Sequence, residues 1–317
     1  MADAPPERSS AVDAGAGTSP APAPGTAVDL PPINPEPSVW RGLTSFRGTT
    51  PRIVDLYVGV IGVVVFLLLW DLAAEPHRIV GLLTWIGVLP AGMEVADPKL
   101  FVAAPQDVVV RLYELFVYYE FLDDIGISIY RIWVAFIAAV IMAIPIGIWM
   151  SSYRLVNGLL EPIVDFIRYL PVPALVPLTV VWFGIGDTMK IALLWLGTFF
   201  QIVLLIADDA RRVPREYIEI GMTVGAKPGQ ILRHIILRAM APSMVDNLRI
   251  GLGWCWTYVV IAEIVASNSG VGYVIMSARR YQKTPEIYAG IITIGIIGLL
   301  TDQAIRWAHR RYFAYLR

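Results

Sequence analysis

Pro214-Arg215-Glu216-Tyr217-Ile218-Glu219-Ile220-Gly221-Met222-Thr223-Val224-Gly225-Ala226 is a polar run with helical spacing, set between two long apolar stretches. Pro214 suits the first turn of a helix, where its missing N–H has no partner to lose. Glu216 and Glu219 put negative charge near the amino terminus, which the helix dipole favours. Ile218, Met222 and Ile220 supply an apolar face, Gly225 ends the helix, and Lys227-Pro228-Gly229 reads as a turn. A second helix is predicted from Gln230 to Met240, leading back into apolar sequence. The pattern by itself allows two readings: a short helix presented for docking into another protein, or a solvated loop with ordinary caps.

Outward from this run, 189–208 and 244–266 are long and apolar enough to cross a bilayer, which takes roughly 20 residues. Four further stretches qualify: 53–73, 126–151, 159–183 and 286–307. The predicted fold is therefore an all-α polytopic membrane protein, a six-helix transmembrane domain over 53–317 with the loop at 209–243. The third stretch holds Pro162, Pro171, Pro173 and Pro177. Proline frees backbone carbonyls, which a membrane tolerates only beside protein or a wet cavity, so this helix is expected inside the bundle. Residues 79–89 are apolar but too short for a span and end at Pro90.

Composition agrees with a membrane protein. The chain has 317 residues, 56% hydrophobic and 16% charged, where a soluble domain carries about 25% charge. Mean hydropathy is +0.63. A net charge of −1 argues against a nucleic-acid partner, and one cysteine, Cys255, excludes an internal disulfide and a cysteine-based zinc site. His77, His234 and His309 are too scattered to suggest a metal cluster. Residues 1–52 hold ten of the 23 prolines and lack aliphatic periodicity, so they read as a disordered tail. With that tail inside, Arg211, Arg212, Arg215, Lys227, Arg233 and Arg238 share one cytoplasmic loop, and Arg306, Arg310, Arg311 and Arg317 mark a cytoplasmic carboxyl end. Arg279, Arg280 and Lys283 run against that bias. Counting 79–89 as a span would put the arginine-rich loop outside.

The quoted run resembles the EAA loop of binding-protein-dependent ABC importer permeases of type I. In that family Glu-Ala-Ala is followed after three residues by Gly, and after nine more by Ile-x-Leu-Pro. Glu219, Gly225, Ile235 and Leu237 fall on that spacing. Ile220-Gly221 replaces Ala-Ala, and Arg238 stands at the proline, with Pro242 matching a second proline common nearby. Tyr169 to Pro177, Trp182 to Gly186, Ala262-Glu263 and Ser269 to Tyr273 resemble the nitrate, sulfonate, taurine and bicarbonate subfamily. The likeness covers roughly 100–317 and leaves out the tail and the 74–99 insertion. It implies a transporter subunit of the bacterial inner membrane, not an enzyme, with both termini cytoplasmic. It also implies a second permease copy as a homodimer, a periplasmic substrate-binding protein, and separate ABC ATPase subunits that hold ATP and Mg. Coupling then falls to Glu216, Glu219, Gly225, Ala226 and Lys227, and the solute is small, polar and anionic. No G-x-x-x-x-G-K-[ST] phosphate loop occurs in the chain.

Two intramembrane charges stand out. Arg168 reads either as an electropositive element of an anion pathway beside Pro171 and Pro173, or as a base snorkelling to lipid phosphate. Glu263 reads as a gate at the outer mouth or as the partner of a base. Asp302 and Arg306 have the spacing of a local ion pair. A gradient-driven secondary transporter or channel is the alternative function class, although the two halves show no convincing internal repeat. A membrane enzyme would need paired acids, a histidine cluster or a nucleophile constellation, and none is evident in the sequence.

Overall fold

The structure is a computed structural model that describes residues 52–75, 80, 84, 86, 102–265 and 267–314. Residues 1–51 of the expected tail and most of 79–89 lie outside them. All regular structure among the described residues is helical.

The centre is helix α6 (Asp187–Arg211), which buries Met189, Leu193, Leu194, Ile202, Val203 and Ile206. Its 25 residues span about 38 Å at the helical rise, more than the ~30 Å of hydrocarbon it must cross. Helix α3 (Phe121–Ser152) runs parallel to it. Lipid gives no hydrophobic drive for helix association, so close contact needs small side chains. Ala135, Ala139, Ala143 and Gly147 supply them at intervals of four, all buried on one face of α3. At Gly147 the approach is closest, since a Cβ there would lie 2.8 Å from the Val203 carbonyl oxygen.

Helix α9 (Leu237–Ile264) runs antiparallel to both and contributes Leu252, Cys255 and Val259 to the core. It takes in 244–264 of the expected 244–266 span but is not among the described helices long and apolar enough to cross a membrane, and the charges of Asp246 and Arg249 are met within the bundle. Arg249 pairs with Asp302 at 2.9 Å, and His309 lies 3.8 Å from Asp246. Trp256 is buried and donates to Thr301 at 3.1 Å, which assigns it to packing. Both acceptors lie on helix α11 (Thr284–Tyr312), where Arg306 and Asp302 form the expected i,i+4 pair at 3.0 Å.

Four described helices are long and apolar enough to cross a membrane: Ile53–Ala74, α3, α6 and α11. The first belongs to α1 (Arg52–Ala74), whose Trp70 stacks on Tyr288 with centroids 5.5 Å apart.

The stretch expected as one kinked helix over 159–183 is instead broken. Helices α4 (Arg154–Arg168) and α5 (Val172–Phe183) meet at 102°, and together they would count as a fifth span. Pro171 and Pro173 cannot donate to the carbonyls one turn earlier, so α4 cannot run on, while Pro173 fits the first turn of α5. Neither half is enclosed by this chain. Only Val164 of α4 and Val172, Val176 and Thr179 of α5 are buried, and Pro171, Pro173, Pro177, Val181 and Trp182 remain uncovered. The proline-bearing face is apolar and is left uncovered by the other described residues, contrary to the expectation of a helix buried in the bundle.

At the end of the bundle where α3 and α6 begin, α2 (Pro105–Tyr118) and α10 (Val271–Arg280) pack with α11 around Val108, Leu115, Phe121, Ile125, Val271, Ile275 and Ala289. The opposite end carries α7 (Arg215–Thr223), α8 (Pro228–Gln230) and a π-helical turn, Ile231–Ile236, that feeds into α9.

Candidate functional site

Helix α7 forms where the sequence placed it, with Pro214 as its cap and Glu216 in its first turn. Its exit is a Schellman turn: Ala226 N–H donates to the Gly221 carbonyl and Gly225 N–H to that of Met222, both at 2.9 Å. Gly225 takes φ +83°, a conformation that other residues adopt only at a cost. Gln230 Oε1 then accepts from the Lys227 N–H at 2.8 Å, so the next helix starts one residue after the turn. The five expected coupling residues are thus brought together, with Glu216, Glu219, Gly225 and Lys227 exposed and Ala226 half-buried on the core.

The apolar pattern of α7 divides differently from the sequence expectation. Ile218 and Gly221 face the bundle, whereas Ile220 and Met222 are 62% and 61% exposed. Gly221 explains the division, because a Cβ there would lie 2.5 Å from Ile235 Cδ1. Its missing side chain lets α7 seat on the π-helical turn, with only the tip of Ile235 standing where a Cβ would go. Seating this face turns Tyr217, Ile220 and Val224 outward at i, i+3 and i+7, one continuous apolar strip with the buried face on one side and both acids, Glu216 and Glu219, on the other.

Behind α7 lies a cleft of about 420 Å³, bounded by Ser151, Tyr153, Arg211, Arg215, Met222 and Leu232 among others. Two polar joints tie α6 to its neighbours here. Asn247 donates to the buried Asp209 at 2.7 Å, and Arg211 reaches Asn157 at 2.5 Å and Asp208 at 3.1 Å.

The expected pathway residues do not form one group. Arg168 closes α4 beside Pro171 and Pro173, with its carbonyl 3.5 Å from Gln201 Nε2, midway along α6. Its guanidinium is met locally by Asp165 at 3.1 Å and lies over the Tyr169 ring at 4.7 Å.

Glu263 sits elsewhere, at the end where α3 and α6 begin, and of its two readings the paired one is observed. Arg131 Nη1 donates to its Oε1 at 2.8 Å, Ser128 Oγ to Oε1 at 2.8 Å, and the Gly272 N–H to Oε2 at 2.8 Å. Arg131 also donates to Asp187, which lies 3.6 Å from the buried Lys190. Gly270, at φ +102°, passes so close that a Cβ would intrude on the Glu263 carboxyl. Arg131, Ser128, Asp187 and Lys190 escaped the sequence reading, and Ser269 entered it only as part of a resemblance. Arg131 and Lys190 both fall within expected spans, and the rule that intramembrane charges come paired would have matched a base to Glu263.

Residues 129–313 match the family described as binding-protein-dependent transport system inner membrane component. The taurine transport system permease of Escherichia coli is 35% identical over 226 residues, covering 70% of this chain and 82% of that protein. The bicarbonate transport system permease of Synechococcus elongatus is 29% identical over 203 residues, covering 61% and 73%. Among solved structures, an inward-facing methionine ABC transporter, MetNI, aligns with a TM-score of 0.51 at 20% identity, over 62% of this chain and 95% of that one. That last likeness is one of fold.

Proposed function

From the premise that this chain belongs to the family of binding-protein-dependent transport system inner membrane components, we propose how it works as the permease subunit of an ABC importer. Helix α7 is the docking element for a separate ATPase subunit, which holds ATP and Mg. The observation that carries this reading is the strip Tyr217, Ile220 and Val224, which is 52%, 62% and 83% exposed on a helix fixed at both ends. An apolar strip edged along its solvent side by Glu216 and Glu219 has the makings of an interface core beside a polar rim. A push on α7 bears on Ile235 through Gly221 and so reaches α9, while the Asp209–Asn247 joint carries it to α6.

A second copy of the chain completes the pathway. The uncovered face of α5, with Pro171, Pro173, Pro177 and Trp182, is the surface a partner copy would cover, and Arg168 lies at the break just before it. Glu263 stands behind this face, fixing the framework around it. Closure of two ATPase subunits draws the paired α7 helices together and rocks the bundles between two states. The solute is small, polar and anionic, delivered by a binding protein on the opposite side. The taurine and bicarbonate permeases among the relatives support that class.

The test is co-purification with the ATPase subunit, followed by uptake in proteoliposomes. Ile220→Glu with Val224→Glu is expected to leave the chain folded, since both positions are exposed, and to release the ATPase at least tenfold more readily, about 1.4 kcal/mol or more. Solute flux through the isolated chain without ATP would instead make it a gradient-driven transporter or channel.

A further inference from the structure

Two loops meet at one side chain near the start of α3. The first, 184–186, follows the proline-bearing helix α5 and opens into Asp187; the second, 267–270, leads from α9 into α10. Arg131 makes five hydrogen bonds: to Asp187, the first residue of α6 and the anchor of the first loop, to Ser269 in the second loop, and to Glu263. Nε and Nη2 donate to Asp187 Oδ1 at 2.9 and 2.6 Å. Nη1 donates to Glu263 Oε1 at 2.8 Å and to the Ser269 carbonyl at 3.0 Å, and Nη2 also reaches Ser269 Oγ at 3.0 Å. A guanidinium presents its five donors in a fixed plane, so these acceptors are held in one geometry. The second loop is clamped again from α3, because Gly270 N–H donates to Asp124 at 2.6 Å and Val271 N–H to Ser128 Oγ at 3.0 Å.

Burial divides the cluster into two parts. The side chains of Arg131 and Glu263 are 2% and 0% exposed, whereas that of Asp187 is 54% exposed. The Arg131–Glu263 pair holds the bundle together, since breaking a buried pair leaves an uncompensated charge. The arm to Asp187 is not needed for that. A fixed bridge to the exposed acid that opens α6 constrains how loop 184–186, which ends at that acid, moves.

We propose that Arg131 is a positioning residue of the transport cycle, yoking loop 184–186 to loop 267–270 so that the two move as one body. The inference rests on the permease reading above. Helix α5 carries the face offered to a second copy, and α10 covers the same end of the bundle, so a shift of one without the other would open the end incompletely. Rigid-body motion of packed units is the usual form of such transitions.

Spin labels at Ile185→Cys and Asn268→Cys, both exposed positions, test this in the assembled complex with its ATPase. The native Cys255 is 0% exposed and does not compete for label. Labelled chains are diluted with unlabelled copies, and the 185–268 distance distribution is recorded without nucleotide and after trapping with ATP and vanadate. In the unaltered chain a single narrow distance is expected in both states. With Asp187→Asn, which spares the Arg131–Glu263 pair but removes the acid beside the buried Lys190, the distribution broadens or splits on trapping while the complex stays assembled and still hydrolyses ATP, thermal stability falling by what Lys190 loses. Arg131→Lys, which keeps the charge opposite Glu263 but cannot span both loops, gives the same broadening. A distribution that stays narrow in both variants overturns the yoke. Absence of any nucleotide-dependent change between Ile185 labels on two fully labelled copies overturns the permease reading itself, so the two failures are distinguishable.

Discussion

Gly221 lies on α7 and Gly225 just past its end, four residues on, yet they answer to different constraints. Gly225 is fixed by its backbone: at φ +83° an added Cβ costs about 1–2 kcal/mol even with nothing within 4 Å of it. Gly221 is fixed by space, and only by the tip of Ile235, with Ile231 Cγ1 at an ordinary 3.6 Å. The tip of an isoleucine can change rotamer. Gly221→Ala is therefore expected to cost less than about 1 kcal/mol. It also restores the alanine that the EAA-type pattern carries at this position. Gly225→Ala should loosen the Schellman turn and misdirect α7, while Gly221→Leu should lift α7 off the π-helical turn altogether. ATPase retained on co-purification, measured beside thermal stability of the isolated chain, separates these cases. Retention close to the unaltered level is expected for Gly221→Ala and clearly reduced retention for the other two. Equal retention in Gly225→Ala would show that the turn geometry is not what presents the strip.

Among the elements, the α3–α6 contact is the one with least slack. Where Gly147 meets α6, the obstacles to a side chain include the Val203 carbonyl at 2.8 Å as well as Ile206 Cγ2 at 2.7 Å. Backbone cannot swing aside as a side chain can, so Gly147→Leu has to separate two helices. Overpacking in a closely packed core costs about 1–3 kcal/mol, and here the upper end is expected. Loss of monodisperse detergent-solubilised protein in size-exclusion profiles would register it, with Gly126→Leu as a control at a glycine that has nothing within 4 Å. This contact, like the α4–α5 break, marks what the sequence could and could not tell. Caps, stops and proline breaks are local. The boundaries of α7 were therefore legible from Pro214 and Gly225, and a distortion at Pro171 was expected. Whether that distortion is a kink or a 102° break depends on what α4 and α5 pack against, which the prolines do not encode. The same holds for charge. Glu263 was visible as an intramembrane acid, but its bond to Arg131 needs α3 and α9 in register, which their spacing of 132 residues does not disclose.

On the scale of the whole molecule, one end of the bundle is basic and the other acidic. Arg154, Arg211, Arg212, Arg215, Lys227, Arg233 and Arg238 belong to the α7 end, joined by Arg306, Arg310 and Arg311 on the last turns of α11. The opposite end carries Glu114, Glu120, Asp123, Asp124, Asp187 and Glu286. Basic residues close to span ends are retained on the cytoplasmic side, whereas acids count for little in that bias. The α7 end should therefore face the cytoplasm, where an ATPase can reach it. Among the described residues six bases lie at the other end, Arg111, Arg131, Lys190, Arg279, Arg280 and Lys283, but four of them meet acids there and the six are outweighed by ten. Labelling of intact cells with a membrane-impermeant maleimide decides the orientation, with the buried Cys255 giving little background. Gln282→Cys and Thr223→Cys both place a thiol at an exposed position, at opposite ends of the molecule. Gln282→Cys is expected to react in cells whose outer barrier alone is opened, and Thr223→Cys only after the inner membrane is permeabilised. The reverse pattern would put the Tyr217–Ile220–Val224 strip on the side that has no ATP, and the docking role of α7 would fall with it.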